Sequence, residues 1–283
     1  MVRHSLIAFA VSLFGATFTS AEPVSVRIVT ADNVTVFGSY YPCETKSAPA
    51  IVLLHSLGRS RQQWADFAGL LQPSGIAALA IDLRGHGDST RRVTAAGVEE
   101  LNFHTFRQAD LQDMLLDVEA AVDWLQKQPT VNRSRIGIIG SSISANVALR
   151  YATVNDELAA LVLLSPGINY RGLRSDDAMK QLRPMPLRIV TAVNDSFAYE
   201  SCGRLRDIHK ESGASRDADE LWVCGGNAHG ADLLLSVKNL PQVLLAWLKH
   251  DLLGTPLPPP PVDSTKSSRC ATRTRLAPSR SSP

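Results

Sequence analysis

The chain has 283 residues, of which 45% are hydrophobic and 20% charged, and its formal net charge is +2. That composition supports one sizeable globular core and excludes a chain without stable structure. A charge this close to zero gives neither nucleic acid nor an anionic surface an electrostatic reason to be the main partner.

Residues 1–21 read as a secretory signal. Arg3 and His4 give a short basic start, 6–18 is mostly apolar, and Thr19, Ser20 and Ala21 are small enough for cleavage. A buried first strand or helix is the competing reading. The apolar part is shorter than the ~20 residues a membrane span needs, and no later segment is long and apolar enough. The expectation is therefore an exported chain, in the periplasm or the medium, with no stable membrane insertion once the signal is removed. Export would place Cys43, Cys202, Cys224 and Cys270 in an oxidising compartment. Cys202 with Cys224 is the pair to test, against the alternative of separate buried thiols. The chain has no C-x-x-C and no His/Cys cluster at zinc spacing, so no metal is predicted.

Strand-like and helical runs then alternate. Residues 24–30 and 34–41 form an expected antiparallel pair around the turn signal Asp32-Asn33. Residues 50–55 and 76–81 are short continuous apolar runs of the kind found in buried parallel strands. Between them, 62–71 carries Trp64, Phe67, Leu70 and Leu71 at helical spacing. A long helix is predicted over 106–128 and is stopped by Pro129. Further strands are predicted at 135–140, 158–164, 187–193 and 220–224, and helices at 144–153, 199–211 and 236–252. This alternation predicts an α/β fold over 22–253, with a mostly parallel central sheet and helices on both faces. Two inserts interrupt it, 91–105 and 167–186. Both follow strand ends on the side where such sheets bind ligands, which makes them candidate lids. Residues 254–283 are rich in Pro, Ser, Thr and Arg and are predicted to be a disordered tail.

The most informative stretch is 135–149. An apolar strand run ends in Gly140-Ser141-Ser142-Ile143-Ser144 and continues directly as a helix. Strand, sharp turn and helix are the context of a nucleophile elbow, in which the turn exposes a serine hydroxyl. Gly140 and Ser144 flank Ser142 two residues away on either side, so Ser142 is the candidate nucleophile. Ser144 departs from the usual G-x-S-x-G pattern.

With this elbow, the chain resembles the α/β-hydrolase family over about residues 24–253. The landmarks are His55-Ser56-Leu57-Gly58 after one strand, Asp82-Leu83-Arg84-Gly85-His86-Gly87-Asp88-Ser89 after the next, the elbow, and Asp195 and His229 after later strands. The run 140–146 with Leu163-Leu164-Ser165-Pro166-Gly167 resembles a branch of small exported, dienelactone-hydrolase-like members. The order serine, acid, histidine is that family's. The resemblance implies a serine hydrolase with Ser142 as nucleophile, His229 as general base and acid, and Asp195 orienting the ring. Its oxyanion donors would be the backbone N–H groups of Ile143 and Leu57. The bland alternatives are helix N-caps for Ser142 and Asp195 and a surface-loop role for His229. Ser141 and Ser144 are rival nucleophiles, and Asp176 and Asp177 rival acids. The family usually shows His-Gly where His55-Ser56 stands here.

The expected activity is cleavage of ester-like acyl bonds of a small-molecule substrate, without a cofactor. Peptidase or amidase action on short peptides, or a catalytically silent exported binding protein, are the alternatives.

Overall fold

The computed structural model describes residues 22–216, 220–256 and 271–272. The predicted signal and most of the predicted tail lie outside the described residues. The first two strands, β1 (Val24–Val29) and β2 (Val34–Tyr41), pair antiparallel across the Asp32-Asn33 turn, where Asn33 takes φ 63°. The sheet then runs through β3 (Ala48–Leu54), β4 (Ala77–Ile81), β5 (Arg91–Thr94), β6 (Gly97–Glu100), β7 (Val131–Ser141) and β8 (Ala160–Leu164). A separate small hairpin is formed by β9 (Asn169–Tyr170) and β10 (Leu173–Arg174). The remaining strands are β11 (Leu187–Ala192), β12 (Leu221–Cys224) and β13 (Ala271–Thr272). The main sheet has the order β13-β12-β11-β8-β7-β3-β4-β2-β5-β6, with β1 on β2. Its centre, from β12 to β4, is parallel, as the continuous apolar runs predict.

Helices cover both faces. On one side lie α2 (Gln108–Gln112), α3 (Met114–Gln126), α4 (Ile143–Ala152), α5 (Asp176–Gln181) and α6 (Ser196–Glu211). On the other lie α1 (Ala65–Leu71), α7 (Leu233–Ser236) and α8 (Leu240–Leu253). Strand periodicity divides the core between them. In β3, Ala50, Val52 and Leu54 face the first group, whereas Ile51 and Leu53 face the second.

Several expectations change. The helix expected over 106–128 is two helices broken at Asp113. In the second of them Asp117, fully buried, accepts three hydrogen bonds from Arg84 at 2.8–3.0 Å. The last helix begins at Leu240 rather than 236, because Asn239 is left-handed and Pro241 sits in the first turn of α8. The 91–105 insert extends the sheet edge as the β5–β6 hairpin. Cys202 and Cys224 are not joined. Cys202 is buried in the core on one face of the sheet and Cys224 in the core on the other, so the sheet stands between them. Ala271–Thr272, in a tail predicted to have no structure, pairs antiparallel with Trp222–Val223 at the sheet edge.

Candidate active site

Strand β7 runs into α4 with Ser142 at the corner, at φ 59° and ψ −125°. A positive φ in a residue with a side chain is strained by about 1–3 kcal/mol and persists only where its surroundings enforce it. The turn is enforced from both sides. The Ser142 N–H donates to Leu164 O of β8 at 2.8 Å. A Cβ on Gly140 would sit 2.5 Å from Ser144 O and 2.6 Å from Ala145 Cα, so strand and helix meet at a distance only glycine permits.

The two serines beside the candidate nucleophile are occupied. Ser144 is fully buried. Its Oγ accepts the Ser141 N–H at 2.9 Å and lies 2.9 Å from both Leu54 O and Ser141 O, either of which can take its proton. The hydroxyl thus bridges the ends of β7 and β3, and the departure from glycine at 144 has a structural use. Ser141 Oγ lies 2.6 Å from Ser56 Oγ and accepts the Ala231 N–H at 2.7 Å. Ser56, in place of the family's glycine, therefore ties the loop after β3 to the elbow. Ser142 alone of the three is partly open to solvent.

Ser142 Oγ lies 2.8 Å from His229 Nε2, and His229 Nδ1 lies 2.6 Å from Asp195 Oδ2. A carboxylate can only accept, so Nδ1 carries the ring proton and Nε2 presents a lone pair to the Ser142 hydroxyl. Residues far apart in sequence, at 142, 195 and 229, thus form one hydrogen-bonded chain. Ser142 and Asp195 both occupy helix N-cap positions, yet neither side chain makes a capping bond. Asp195 turns its carboxylate to His229 instead. The rival Asp176 is paired with Arg174.

The loop carrying His229 is fixed by the residues that follow it. The Gly230 N–H donates to Ser165 Oγ at 2.9 Å. Gly230 has φ 60°, and a Cβ there would lie 2.4 Å from Ser141 Oγ. No bulkier residue can bring the histidine this close to the elbow.

On the other side of Ser142 stands the loop after β3. His55 at its root is fully buried. Its Nδ1–H donates to Ser56 O at 2.8 Å and its Nε2 accepts the Leu83 N–H at 3.0 Å. Burial, with the neighbouring His86, pushes its pKa down to about 3, so the ring is neutral and acts as a fixed two-sided connector. Arg61 spans from this loop to Asp82 and Asp88, and a Cβ on Gly87 would collide with the Asp82 carboxylate. The 82–89 motif is therefore a brace for the loop that presents Leu57. The Ile143 N–H, in the first turn of α4, has no intrahelical acceptor. A cleft of about 610 Å³ opens beside this loop between Gly58, Gln63, His86, Phe103 and Leu235.

The sequence reading noted Ser165 only as part of a family-like run, without a role, and missed Tyr170. Tyr170 reaches over from the β9–β10 hairpin to place its ring edge-on to His229, at 6.3 Å between centroids. No sequence signal marked Tyr170.

A family model described as the alpha/beta hydrolase family matches residues 51–272. The chain belongs to the alpha/beta hydrolase family. An uncharacterised protein of Mycobacterium tuberculosis is 31% identical over 161 residues, which cover 53% of this chain and 51% of that protein. A thiohydrolase of Aspergillus aculeatus is 26% identical over 162 residues, 56% of this chain and 46% of its own length. The chain thus spans about half the length of the curated relatives it matches. Among solved structures, an esterase of Pyrococcus furiosus superposes with a TM-score of 0.62 at 20% identity, over 82% of this chain and 93% of that one. A dienelactone hydrolase of Anabaena variabilis superposes with a TM-score of 0.58 at 17% identity, over 82% of this chain and all of that one. At such identities these two share the fold alone.

Proposed function

We propose that this alpha/beta hydrolase is an exported serine hydrolase that cleaves ester-like acyl bonds through an acyl-serine intermediate. The observation that carries the reading is the unbroken hydrogen-bonded chain from Ser142 Oγ through His229 to Asp195. Support for export is the signal-like pattern of residues 1–21.

In the proposed reaction His229 Nε2 takes the Ser142 proton as Oγ attacks the acyl carbonyl. Asp195 holds the ring in the required tautomer and stabilises the imidazolium that forms. The developing oxyanion is met by backbone N–H groups of Ile143 and Leu57. His229 passes its proton to the leaving group, leaving acyl-Ser142. Water, deprotonated by His229, then attacks the acyl carbon, and Ser142 is regenerated as the acid departs. Thioesters fall within the same chemistry, and one relative bears the name thiohydrolase.

The test is labelling of the protein and of its Ser142→Ala variant with a fluorophosphonate probe, with the adduct located by mass spectrometry. Labelling at Ser142 that is lost in the variant supports the reading. Absence of labelling in a folded sample refutes it and favours a binding protein on the same fold.

A further inference from the structure

The 169–174 hairpin is held far more firmly than a surface lid requires. Its two turn residues, Arg171 (φ 49°) and Gly172 (φ 90°), make the left-handed two-residue turn that suits a tight hairpin. Arg171 donates to Phe106 O at 2.7 Å, and Gln108 donates to Gly172 O at 3.0 Å. At its base, the buried Asn146 of α4 donates to Gly167 O and Leu173 O at 2.9 and 2.8 Å and accepts the Gly167 N–H at 3.1 Å. The elbow helix and the hairpin therefore share one buried amide.

What the hairpin presents is Tyr170. Gly167 leaves room for its ring, since a Cβ there would sit 2.6 Å from Tyr170 Cε2. The ring stands perpendicular to His229 and 5.2 Å from Phe197, centroid to centroid. Its hydroxyl donates to Ser165 O at 3.2 Å and comes within reach of the Ser142 side chain. Burial and the nearby Asp195 charge raise its pKa, which keeps the O–H a neutral donor at working pH. Ser165 in turn accepts the Gly230 N–H, one residue past His229. Tyr170 thus stands against the imidazole with its ring, and its hydroxyl meets the backbone carbonyl of Ser165, the residue whose side-chain hydroxyl accepts from the His229 loop.

We propose that Tyr170 is a positioning residue: the 169–174 hairpin presents its ring and hydroxyl so that His229 Nε2 stays in line with Ser142 Oγ. This rests on the serine hydrolase reading above. A general base displaced by a fraction of an ångström loses rate while leaving substrate binding intact.

The experiment compares wild type, Tyr170→Phe and Tyr170→Leu for fluorophosphonate labelling rate, for kcat and KM on p-nitrophenyl acetate, and for Tm. The expected result for Tyr170→Phe is labelling and kcat lower by about tenfold, with KM within about twofold and Tm within about 2 °C of wild type. Tyr170→Leu, which also removes the ring edge, is expected to lose more. Tyr170→Phe equal to wild type in rate overturns the proposal. So does a rate loss accompanied by a Tm drop beyond about 5 °C, which marks a purely structural role. No labelling of wild type itself overturns the hydrolase reading and this inference with it.

Discussion

Ser144→Ala isolates the bridge between the elbow and the neighbouring strand. The substitution removes one oxygen and leaves the backbone free to keep its path. It strips the Ser141 N–H of its 2.9 Å acceptor in a site with no solvent exposure. Leaving one buried donor unsatisfied costs about 1–3 kcal/mol. The void left by a single oxygen adds only a few tenths of a kcal/mol, and alanine's better helix propensity returns a similar amount. The net expectation is a loss of about 2 kcal/mol, which lowers Tm by roughly 4–8 °C in a domain of this size. Urea denaturation of wild type and variant, with calorimetry as a second reading, measures it. Because Ser141 and Ser142 are adjacent, the fluorophosphonate labelling rate should fall as well. A stability change under about 0.5 kcal/mol would mean that water or a small backbone shift replaces the hydroxyl, and the bridging argument would be wrong.

Gly140→Ala places a Cβ against backbone atoms of Ser144 and Ala145 that cannot swing aside. It should destabilise the protein by about 3 kcal/mol and suppress labelling at Ser142, and a wild-type denaturation midpoint refutes this. Asp195→Asn disturbs the tautomer of His229 and should lower kcat on p-nitrophenyl acetate by roughly 10³–10⁴, whereas a loss under tenfold removes Asp195 from the mechanism. His55 contributes acid sensitivity, because the unfolded chain takes up its proton near pH 6.5 and the folded chain only near pH 3. Its stabilising contribution is therefore present above about pH 6.5 and is lost as pH falls towards 3, at up to about 1.4 kcal/mol per pH unit. Urea midpoints that stay level from pH 7 to pH 4 contradict this. Asp32 acts lower on the scale. Burial alone would raise its carboxyl, but hydrogen bonds from Arg84 and Thr30 outweigh it and hold the pKa at about 2. Its contribution is present above about pH 4 and lost as pH falls through 2, and in Asp32→Asn that part of the acid transition should disappear.

Much of the fold was legible because its signals are local. Continuous apolar runs at 50–55 and 76–81 can only be satisfied by burial on both faces, and the structure buries both entirely. The run 135–149 predicts an elbow because glycine, serine and a sudden change of periodicity have few other uses together. Where two elements compete over a few residues, the sequence was less informative. The 106–128 pattern is helical throughout, and nothing local in it marks the break at Asp113 or pairs Asp117 with Arg84, a partner 33 residues earlier. The Cys202–Cys224 pair was plausible by position, but only the sheet between the two residues excludes it.

The sequence by itself determined the layered α/β class and the sharp strand-to-helix turn at Ser142, because each depends on neighbouring residues, whereas its partners Asp195 and His229 came from the family resemblance. Tertiary structure decided how those partners meet. The 2.6 and 2.8 Å contacts of His229 join three separate loops. Tertiary structure also gave the hydroxyls of Ser56, Ser141, Ser144 and Ser165 their hydrogen-bond partners across neighbouring strand ends and placed Tyr170 against the histidine. Hydroxyl groups carry no periodicity, and their partners are set by which strand ends the sheet order brings side by side.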